Sequence, residues 1–230
     1  MPQAELGTVV VTGGASGLGA ATAQALAEAG GTPMVLDRAE PRDGVEYELV
    51  DLADGRAAEA AVTRVAERHG GLQGVVTAAA MDVPAPFGEL PSETWERIVM
   101  VNLVGMAAVV RAAMPHLERS SGRVVTVAST LGFRVFPDAT AYCASKFGVV
   151  GFTRALAVET AGRIGVTLLV PGGMRTAFFD DRDSQYKPGP DASLNDPADV
   201  AASIVFALRQ PAGCEVRELV VTPAVEPSWP

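Results

Sequence analysis

The sequence predicts an α/β fold with a doubly wound, mostly parallel sheet of seven strands and helices on both faces. Short runs of β-branched and apolar residues alternate along the chain with segments of helical periodicity, and such alternation is typical of a parallel sheet covered by helices. Right-handed crossovers between successive strands then produce the doubly wound arrangement. No internal repeat, low-complexity run or linker divides the 230 residues, so we predict a single domain over 1–230.

Each predicted strand is a short β-branched or apolar run, and together they lie at 6–12, 33–37, 47–50, 74–78, 122–128, 165–170 and 216–221. Helices are predicted over the alanine-rich segment that ends near 29, at 55–69, in two segments within 91–119, at 140–161 and from 196 onwards. Ser92 is the expected N-cap of the segment that begins near 91. Asp196 is the expected N-cap of the last helix, with Pro197 at its first position.

A glycine-rich turn follows the first strand and precedes the first helix, with the sequence Thr12-Gly13-Gly14-Ala15-Ser16-Gly17-Leu18-Gly19. Glycines allow the backbone to turn sharply and to approach a ligand closely. The N-terminus of the helix offers free N–H groups and the positive end of its dipole to a phosphate. A plain strand-to-helix turn can show the same glycines, but the strand before and the helix after favour a dinucleotide-binding turn.

Asp37 ends the second strand at the distance from the glycine turn, about 20 residues, where a dinucleotide-binding fold places a carboxylate on the adenine ribose. A solvated aspartate at a strand end is the alternative, and the spacing favours the ligand role. Arg38 comes next and could pair with a phosphate on the same ribose. The two neighbouring residues therefore favour different cofactors.

The predicted helix at 140–161 opens with Tyr142-Cys143-Ala144-Ser145-Lys146. Positions i and i+4 share a helix face, so the phenol and the ammonium can reach one spot. A phenol titrates near about pH 10, and a nearby ammonium is expected to lower that pKa. Such a pair can serve as a general acid and base, although the same spacing is common on solvated helix faces.

Taken in order, these features resemble the short-chain dehydrogenase/reductase family in its compact single-domain form, over residues 8–221. The glycine signature of that family, Thr-Gly-x-x-x-Gly-x-Gly, is matched by Thr12, Gly13, Gly17 and Gly19. Its other motifs are matched by Asp51-Leu52, Asn102, Ser129, Tyr142 with Lys146, and Pro171-Gly172 with Thr176. Each motif is modest alone, but their joint occurrence in this order is highly specific.

The resemblance implies a Rossmann fold and a hydride transfer between a nicotinamide cofactor and a secondary alcohol or ketone. It assigns catalysis to Asn102, Ser129, Tyr142 and Lys146. It assigns cofactor binding to Gly13, Ser16, Gly17, Leu18, Gly19, Asp37, Arg38, Asp51, Leu52, Ala78, Ala79, Tyr142, Lys146, Pro171, Gly172 and Thr176.

The same resemblance implies a role for each catalytic residue. Tyr142 would be the general acid and base, and Lys146 would lower its pKa and bind the nicotinamide ribose. Ser129 would hold the substrate oxygen. Asn102 would kink its helix and hold a water of a proton relay.

One motif departs from the family pattern, because Thr77-Ala78-Ala79-Ala80 stands where the family has Asn-Asn-Ala-Gly. We expect the Thr77 hydroxyl still to form a hydrogen bond there.

The polar, acidic segment at 177–195 lies where the family carries a mobile substrate lid. Apolar residues near the motifs are candidates for a substrate pocket, namely Met81, Leu131, Phe133, Phe136, Met174, Phe178 and Phe179.

The expected cofactor is NAD, with NADP possible. The Asp37 carboxylate would repel the 2′-phosphate of NADP, and the residue before Gly17 is Ser16 rather than a basic residue. A non-catalytic dinucleotide-binding regulatory protein on the same fold is the alternative function, although the intact Ser129, Tyr142 and Lys146 argue against it. An epimerase or dehydratase is a third class, usual for relatives with a larger C-terminal part.

Composition limits the partners that we expect beyond a small alcohol or carbonyl substrate. The net charge is −9 with no basic cluster, so nucleic acid is not expected. The longest apolar stretch, 98–110, is shorter than the roughly 20 residues that span a bilayer, so no membrane is expected. The two cysteines predict free thiols in a reducing compartment, the cytoplasm. The two histidines are part of no visible cluster of metal ligands, so no metal site is expected. Apolar residues on several faces of the helix at 140–161 predict a homo-oligomer, a tetramer or a dimer.

Overall fold

The structure, a computed structural model, describes residues 4–42 and 44–229. Seven strands form one sheet in the order β3-β2-β1-β4-β5-β6-β7, and every neighbouring pair is parallel. The strands are β1 (Thr8–Thr12), β2 (Thr32–Asp37), β3 (Tyr47–Leu49), β4 (Gly74–Thr77), β5 (Arg123–Val127), β6 (Gly165–Pro171) and β7 (Glu218–Val221). This confirms the predicted doubly wound α/β fold. The assignment of 1–230 to one domain stays a prediction, and residues 1–3, 43 and 230 lie outside the described residues.

Helices cover both faces of the sheet. They are α1 (Gly17–Glu28), α2 (Gly55–His69), α3 (Ser92–Val99), α4 (Met106–Ser120), α5 (Thr140–Glu159) and α6 (Pro197–Leu208). Side chains of α1 and α6 pack into one apolar core, and side chains of α2, α4 and α5 pack into the other. Because both faces are covered, β1, β4 and β6 are buried at every position, which explains why these strands are apolar runs rather than alternating patterns.

The strand order reverses at β1, which lies between β2 and β4. The connections on the two sides of β1 run in opposite directions, so a crevice opens between the carboxyl ends of β1 and β4. The glycine turn follows β1 directly, and the segment from Ala78 to Ala80 follows β4. The fold therefore delivers both segments to the place where doubly wound sheets bind ligands.

The helix starts were predicted with mixed success. Asp196 caps α6 through the N–H of Ala198, with Pro197 at the first helical position, as predicted. The prediction for Ser92 is wrong, because the Pro91 carbonyl already accepts from the N–H groups of Thr94 and Trp95. Pro91 is the N-cap residue, Ser92 is the first helical residue, and no side chain caps this helix.

A continuous helical run of 29 residues spans Ser92–Ser120, and by length and mean hydropathy, 1.8, it could cross a membrane. The expectation that the apolar stretch is too short is therefore wrong. A π-helical turn, Met100–Gly105, carries the chain through Asn102 and Gly105. In the fold Ile98 and Leu117 of this run are completely buried.

Candidate active site

One cavity of about 1200 Å³ runs along the carboxyl ends of the central strands. All sixteen residues predicted to bind the cofactor line this cavity, and so does Ser129. Asn102 is the predicted site residue that does not reach the cavity wall. The fold thus gathers segments that are far apart in the chain around one space, with the glycine turn at one end and Tyr142 at the other.

The glycine turn is shaped for close approach. Gly13 and Gly17 have φ values of +72° and +52°, a region that side chains other than glycine rarely adopt. A Cβ on Gly13 would lie 2.7 Å from the Ala79 Cα, and a Cβ on Gly19 would collide with the Gly13 carbonyl. The Ser16 side chain does not cap α1, and the first turn of α1 carries no acidic residue. The N–H groups and dipole of α1 thus favour an anion at this end.

Asp37 lies beside the glycine turn and is held by it. Its two carboxylate oxygens accept hydrogen bonds from the N–H of Ala15 at 2.9 Å and of Ala39 at 3.0 Å. A carboxylate offers about four lone-pair positions, so each oxygen can accept a further hydrogen bond. The backbone fixes where the negative charge stands, at the mouth of the crevice.

Arg97 is a cavity residue that the sequence analysis missed. Its guanidinium donates to Asp51 at 2.7 Å, and this hydrogen bond is the main reason that the pKa of Asp51 lies below its usual value. Both residues line the cavity near Leu52. Nothing in the spacing between 51 and 97 indicates this pair, which forms because the fold brings α3 close to the loop that follows β3.

Tyr142 and Lys146 are both buried at the other end of the cavity. The Lys146 ammonium lies 5.6 Å from the centre of the Tyr142 ring and donates to the Val127 carbonyl at 2.8 Å. Burial lowers the pKa of Lys146 to about 8. Burial also raises the pKa of Tyr142, and the hydrogen bond with Ser129 only partly offsets this rise. The pKa of Tyr142 is therefore raised rather than lowered in this structure, because desolvation outweighs the neighbouring groups, and a lowering effect of Lys146 stays a prediction.

Asn102 lies outside the cavity wall and is hydrogen-bonded to residues on both sides of the site. The π-helical turn points its side chain at the strand end after β4, where its amide accepts from the Met81 N–H and donates to the Met81 carbonyl, both at 2.8 Å. The amide also donates to the Ser145 hydroxyl at 3.1 Å, and that hydroxyl donates to the Tyr142 carbonyl at 2.8 Å. The predicted local distortion of the helix is present, and the side chain ties the end of β4 to the first turn of α5.

Thr77 does not form the expected hydrogen bond. Its hydroxyl is buried, and within the described residues it has no partner. The backbone after β4 is held instead by Thr12, whose hydroxyl accepts from the Ala79 N–H at 3.1 Å. Thr12 stands opposite Thr77 in the sheet, so the neighbouring strand supplies the side-chain hydrogen bond that holds this backbone.

Comparison with known proteins agrees with this geometry. The sequence matches the family model described as short chain dehydrogenase over residues 7–187. The chain belongs to the short-chain dehydrogenase family. This confirms the resemblance that the motifs carried, and it makes the protein an oxidoreductase of the dehydrogenase type.

Two relatives and one solved structure illustrate the match. The chain is 35% identical to the cis-4-hydroxycyclohexanecarboxylate dehydrogenase of Sinomonas cyclohexanicum, over 86% of this chain and 87% of that protein. It is 32% identical to glycine betaine reductase ATRR of Emericella nidulans, over 95% of this chain but 19% of that much longer protein. An alcohol dehydrogenase from the archaeon Thermococcus sibiricus, complexed with 5-hydroxy-NADP, shares the fold with a TM-score of 0.84 at 24% identity, over 94% of this chain and 96% of that chain.

The predicted lid of this short-chain dehydrogenase is docked over the Tyr142 end of the cavity. It forms two short 3₁₀ turns, Ala177–Phe179 and Ser184–Tyr186. The Phe178 ring lies 5.9 Å from the Tyr142 ring, and the Arg182 guanidinium lies over Phe178 at 4.7 Å. Arg182 also pairs with the buried Asp82 at 3.0 Å, which fastens the lid to the segment after β4.

The C-terminal tail of this dehydrogenase forms another part of the cavity wall, which the sequence analysis did not foresee. After β7 the chain returns across the end of β6, and Val225, Glu226, Pro227 and Ser228 line the cavity. The Trp229 ring packs edge-on against Phe133 at 5.5 Å between ring centres. The tail carries no motif, so only its path in the folded protein places it at the site.

Proposed function

We propose that this protein is an NAD-dependent dehydrogenase that interconverts a secondary alcohol and a ketone, with Tyr142 as general acid and base. The observation that carries the proposal is the Tyr142 hydroxyl, which is hydrogen-bonded to Ser129 and buried beside Lys146 at the end of a cavity that begins at the glycine turn. A bound nicotinamide would supply or accept the hydride. The protein residues would supply binding, orientation and the proton.

The residues present fit a dinucleotide. The glycine turn and the uncapped N-terminus of α1 would hold the pyrophosphate, because the N–H groups and the dipole of the helix favour an anion there. Asp37 would accept hydrogen bonds from the adenine-ribose hydroxyls, and Asp51 with Leu52 would border the adenine. Lys146 would bind the second ribose, and Pro171, Gly172 and Thr176 would border the nicotinamide.

The proposed proton chemistry follows from burial. The raised pKa keeps the Tyr142 phenol protonated, which suits donation to the oxygen of a ketone during reduction. Ser129 would hold the same oxygen with its hydroxyl and stabilise the charge that develops there. In alcohol oxidation Tyr142 would act from its phenolate form, which the Lys146 ammonium would stabilise, and it would become a neutral phenol on taking the alcohol proton. Asn102 would hold α5 in register with the strand end rather than touch the substrate.

The preference for NAD rests on Asp37. Its carboxylate is fixed by two backbone N–H groups at the mouth of the crevice, where it would repel a 2′-phosphate, whereas Arg38 is exposed and an exposed ion pair contributes only about 0–1 kcal/mol. Asp37→Ala should weaken NAD binding and relieve the exclusion of NADP, so the ratio of kcat/KM for the two cofactors should move toward NADP. An NADP preference in the wild type, or an unmoved ratio in the variant, would contradict this role of Asp37.

Cyclic secondary alcohols are the first substrates to test. The Tyr142 end of the cavity is lined by apolar side chains, including Leu131, Phe136, Met174, Phe178 and Phe179. The relative that is 35% identical is named as a dehydrogenase of a hydroxycyclohexane carboxylate. An apolar pocket with the hydroxyl groups of Tyr142 and Ser129 at one end suits a ring that carries a single reacting oxygen.

The experiment is a spectrophotometric screen of cyclic alcohols and ketones with both nicotinamide cofactors. Tyr142→Phe should lower kcat/KM by about 10²- to 10⁴-fold, the usual contribution of a general acid and base, and should leave cofactor affinity within about twofold because the ring and its packing remain. Tyr47→Phe is the control, since Tyr47 lies on the edge strand β3. Substantial residual turnover in Tyr142→Phe, or a loss of cofactor affinity, would contradict the assignment of Tyr142 as general acid and base. Cofactor binding without turnover of any substrate would favour the non-catalytic regulatory alternative.

A further inference from the structure

The C-terminal tail holds one carboxylate rigidly at the cavity wall. Glu226 accepts hydrogen bonds from the Ser228 N–H at 3.0 Å, from the Ser228 hydroxyl at 2.6 Å and from the Gly173 N–H at 3.1 Å. Ser228 is buried, and its hydroxyl is also hydrogen-bonded to the Thr130 hydroxyl at 2.7 Å. The tail thus joins the segment after β5 to the segment after β6, with the Glu226 carboxylate at the junction.

The place of this carboxylate is set by Gly172. A Cβ on Gly172 would collide with the Glu226 carboxylate, so the side chain lies directly on the backbone that follows β6. Every hydrogen bond that Glu226 receives from the described residues comes from a neutral N–H or hydroxyl group. Its negative charge is therefore not neutralised by an ion pair, and it lines the same cavity as Tyr142 and Lys146.

The proposed function places the nicotinamide beside this charge. Hydride transfer requires the ring to lie against a substrate whose oxygen is held by Tyr142 and Ser129. Ser129 follows β5 and Gly172 follows β6, and these two strands are paired along their length up to Val127 and Leu169. The ring must therefore lie over the ends of β5 and β6, next to Gly172 and Glu226.

We infer that Glu226 makes this enzyme prefer the oxidised over the reduced form of its nicotinamide cofactor. The inference rests on the proposed function. The oxidised ring carries a positive charge and the reduced ring is neutral, so a fixed carboxylate beside the ring attracts the oxidised form alone. The reduced cofactor is held less tightly as a result, which favours its release after oxidation of an alcohol.

The test compares two dissociation constants, for oxidised and for reduced dinucleotide, measured by calorimetry on the purified full chain. In Glu226→Gln the preference for the oxidised form should fall by about 5- to 30-fold, the range expected for one charge removed from a partly solvated site. Glu226→Asp keeps the charge and should retain most of the preference. Asp191→Asn is the matched control, because Asp191 is an exposed cavity residue on the lid.

Several outcomes would overturn the inference. A preference that changes by less than about twofold in Glu226→Gln, or that changes equally in Asp191→Asn, shows that the local charge does not select the redox form. If both dinucleotides bind but the ratio of their dissociation constants is the same in Glu226→Gln as in the wild type, the proposed function stands and only this inference fails. If neither dinucleotide binds, the proposed function and this inference both fail.

The wild type provides a second measurement that does not depend on the folding of a variant. Raising KCl from about 0.02 M to about 0.5 M should weaken the preference for the oxidised form, because salt screens a partly exposed charge. A preference that is independent of salt contradicts the inference.

Discussion

At the scale of single residues, Lys146 and Tyr142 show how burial controls the chemistry of the site. Water stabilises charged forms, so removing it lowers the pKa of an ammonium and raises that of a phenol. The usual pKa values of the two groups are nearly equal, so burial moves them apart, with the pKa of Lys146 lowered to about 8 and that of Tyr142 raised. The pair is therefore a protonated phenol beside an ammonium that burial makes more acidic than a lysine in water.

The lowered pKa of Lys146 predicts how stability depends on pH. The unfolded chain holds this proton up to a pKa of about 10.4, whereas the folded protein releases it near pH 8, so between these values the unfolded state binds more protons and the free energy of unfolding rises with pH. The full penalty, about 3 kcal/mol, is present below about pH 8 and disappears toward pH 10. Denaturant unfolding of the cofactor-free protein at several pH values measures it.

Lys146→Met is the comparison for that measurement. The variant leaves the Val127 carbonyl without its donor at every pH, so its stability offset is constant, and the rise between about pH 8 and pH 10 should be smaller than in the wild type by up to about 3 kcal/mol. Equal pH profiles for the two proteins would show that burial does not depress the pKa of Lys146.

Thr77 shows a second residue-scale effect, in a row of threonines that crosses the sheet. Thr12, Thr77 and Thr126 stand opposite one another on β1, β4 and β5. The outer two hydroxyls are satisfied, by the Ala79 N–H and by Thr153, and the central one has no partner within the described residues. A buried hydroxyl without a partner costs about 1–3 kcal/mol.

Thr77→Val should therefore stabilise the protein, by about 1–2 kcal/mol, because it removes the unpaired hydroxyl while keeping the branched shape. Thr12→Val is the matched control on the neighbouring strand and should destabilise by a similar amount, since it leaves the Ala79 N–H without its acceptor. Thermal or denaturant unfolding measures both variants. A loss of stability in Thr77→Val would mean that the hydroxyl is satisfied in solution.

At the scale of elements, the lid is joined to the scaffold at its base and near its middle. Asn195 closes the base through hydrogen bonds with Gly173, Arg175 and Val221. The Arg182–Asp82 pair fastens the middle, and both side chains are largely buried, at 13% and 4% exposure. Burial raises the pKa of Asp82 even though Arg182 opposes this, so the pair is held where an unpaired charge would be costly.

Arg182→Gln should loosen the lid. Removing one member of a buried pair leaves the other unpaired, at a cost of about 3–5 kcal/mol, so cleavage within 177–195 by limited proteolysis should accelerate at least tenfold. Adding Asp82→Asn to that variant should restore part of the protection. Arg111→Gln is the control, because Arg111 forms an exposed pair with Glu59 that contributes about 0–1 kcal/mol. Equal proteolysis of the wild type and Arg182→Gln would contradict this role of the pair.

At the scale of the whole molecule, the helices leave apolar side chains uncovered. On α5, Val149, Val150 and Leu156 are buried, but Phe147 and Val158 are exposed at 44% and 80%. Val104, in the π-helical turn, and Phe206, on α6, are also exposed. Apolar residues on several faces of a helix are normally buried, so we keep the proposal that the chain forms a homo-oligomer.

The assembly prediction is a dimer or tetramer in light scattering at micromolar concentration. Phe147→Glu and Val158→Glu, on the exposed side of α5, should each lower the measured mass, because a charge buried in an interface without a partner opposes association. Leu49→Glu, on the edge strand β3 and also exposed, should leave the mass unchanged if the interface is helical. A monomer mass for the wild type would refute the prediction.

The sequence alone predicted the features that depend on neighbouring residues. The strands of the sheet, the glycine turn and the spacing of Tyr142 and Lys146 follow from local patterns, because a strand buried on both faces must be apolar and positions i and i+4 must share a helix face. Ser92 and Thr77 were predicted wrongly because their hydrogen-bond partners do not follow from the neighbouring sequence. The Pro91 carbonyl accepts the N–H groups that Ser92 was expected to cap, and the Thr77 hydroxyl has no partner within the described residues. Both outcomes depend on which groups the fold places nearby.

Only the tertiary structure decided the electrostatics of the site. The pKa values of Tyr142 and Lys146 depend on the water that surrounding elements exclude, and no spacing encodes that quantity. The Arg182–Asp82 pair joins residues 100 positions apart, and the contact of Glu226 with Gly173 joins residues 53 positions apart. Such contacts depend on the whole path of the chain between them, so they leave no periodic signal in the sequence from which they could be predicted.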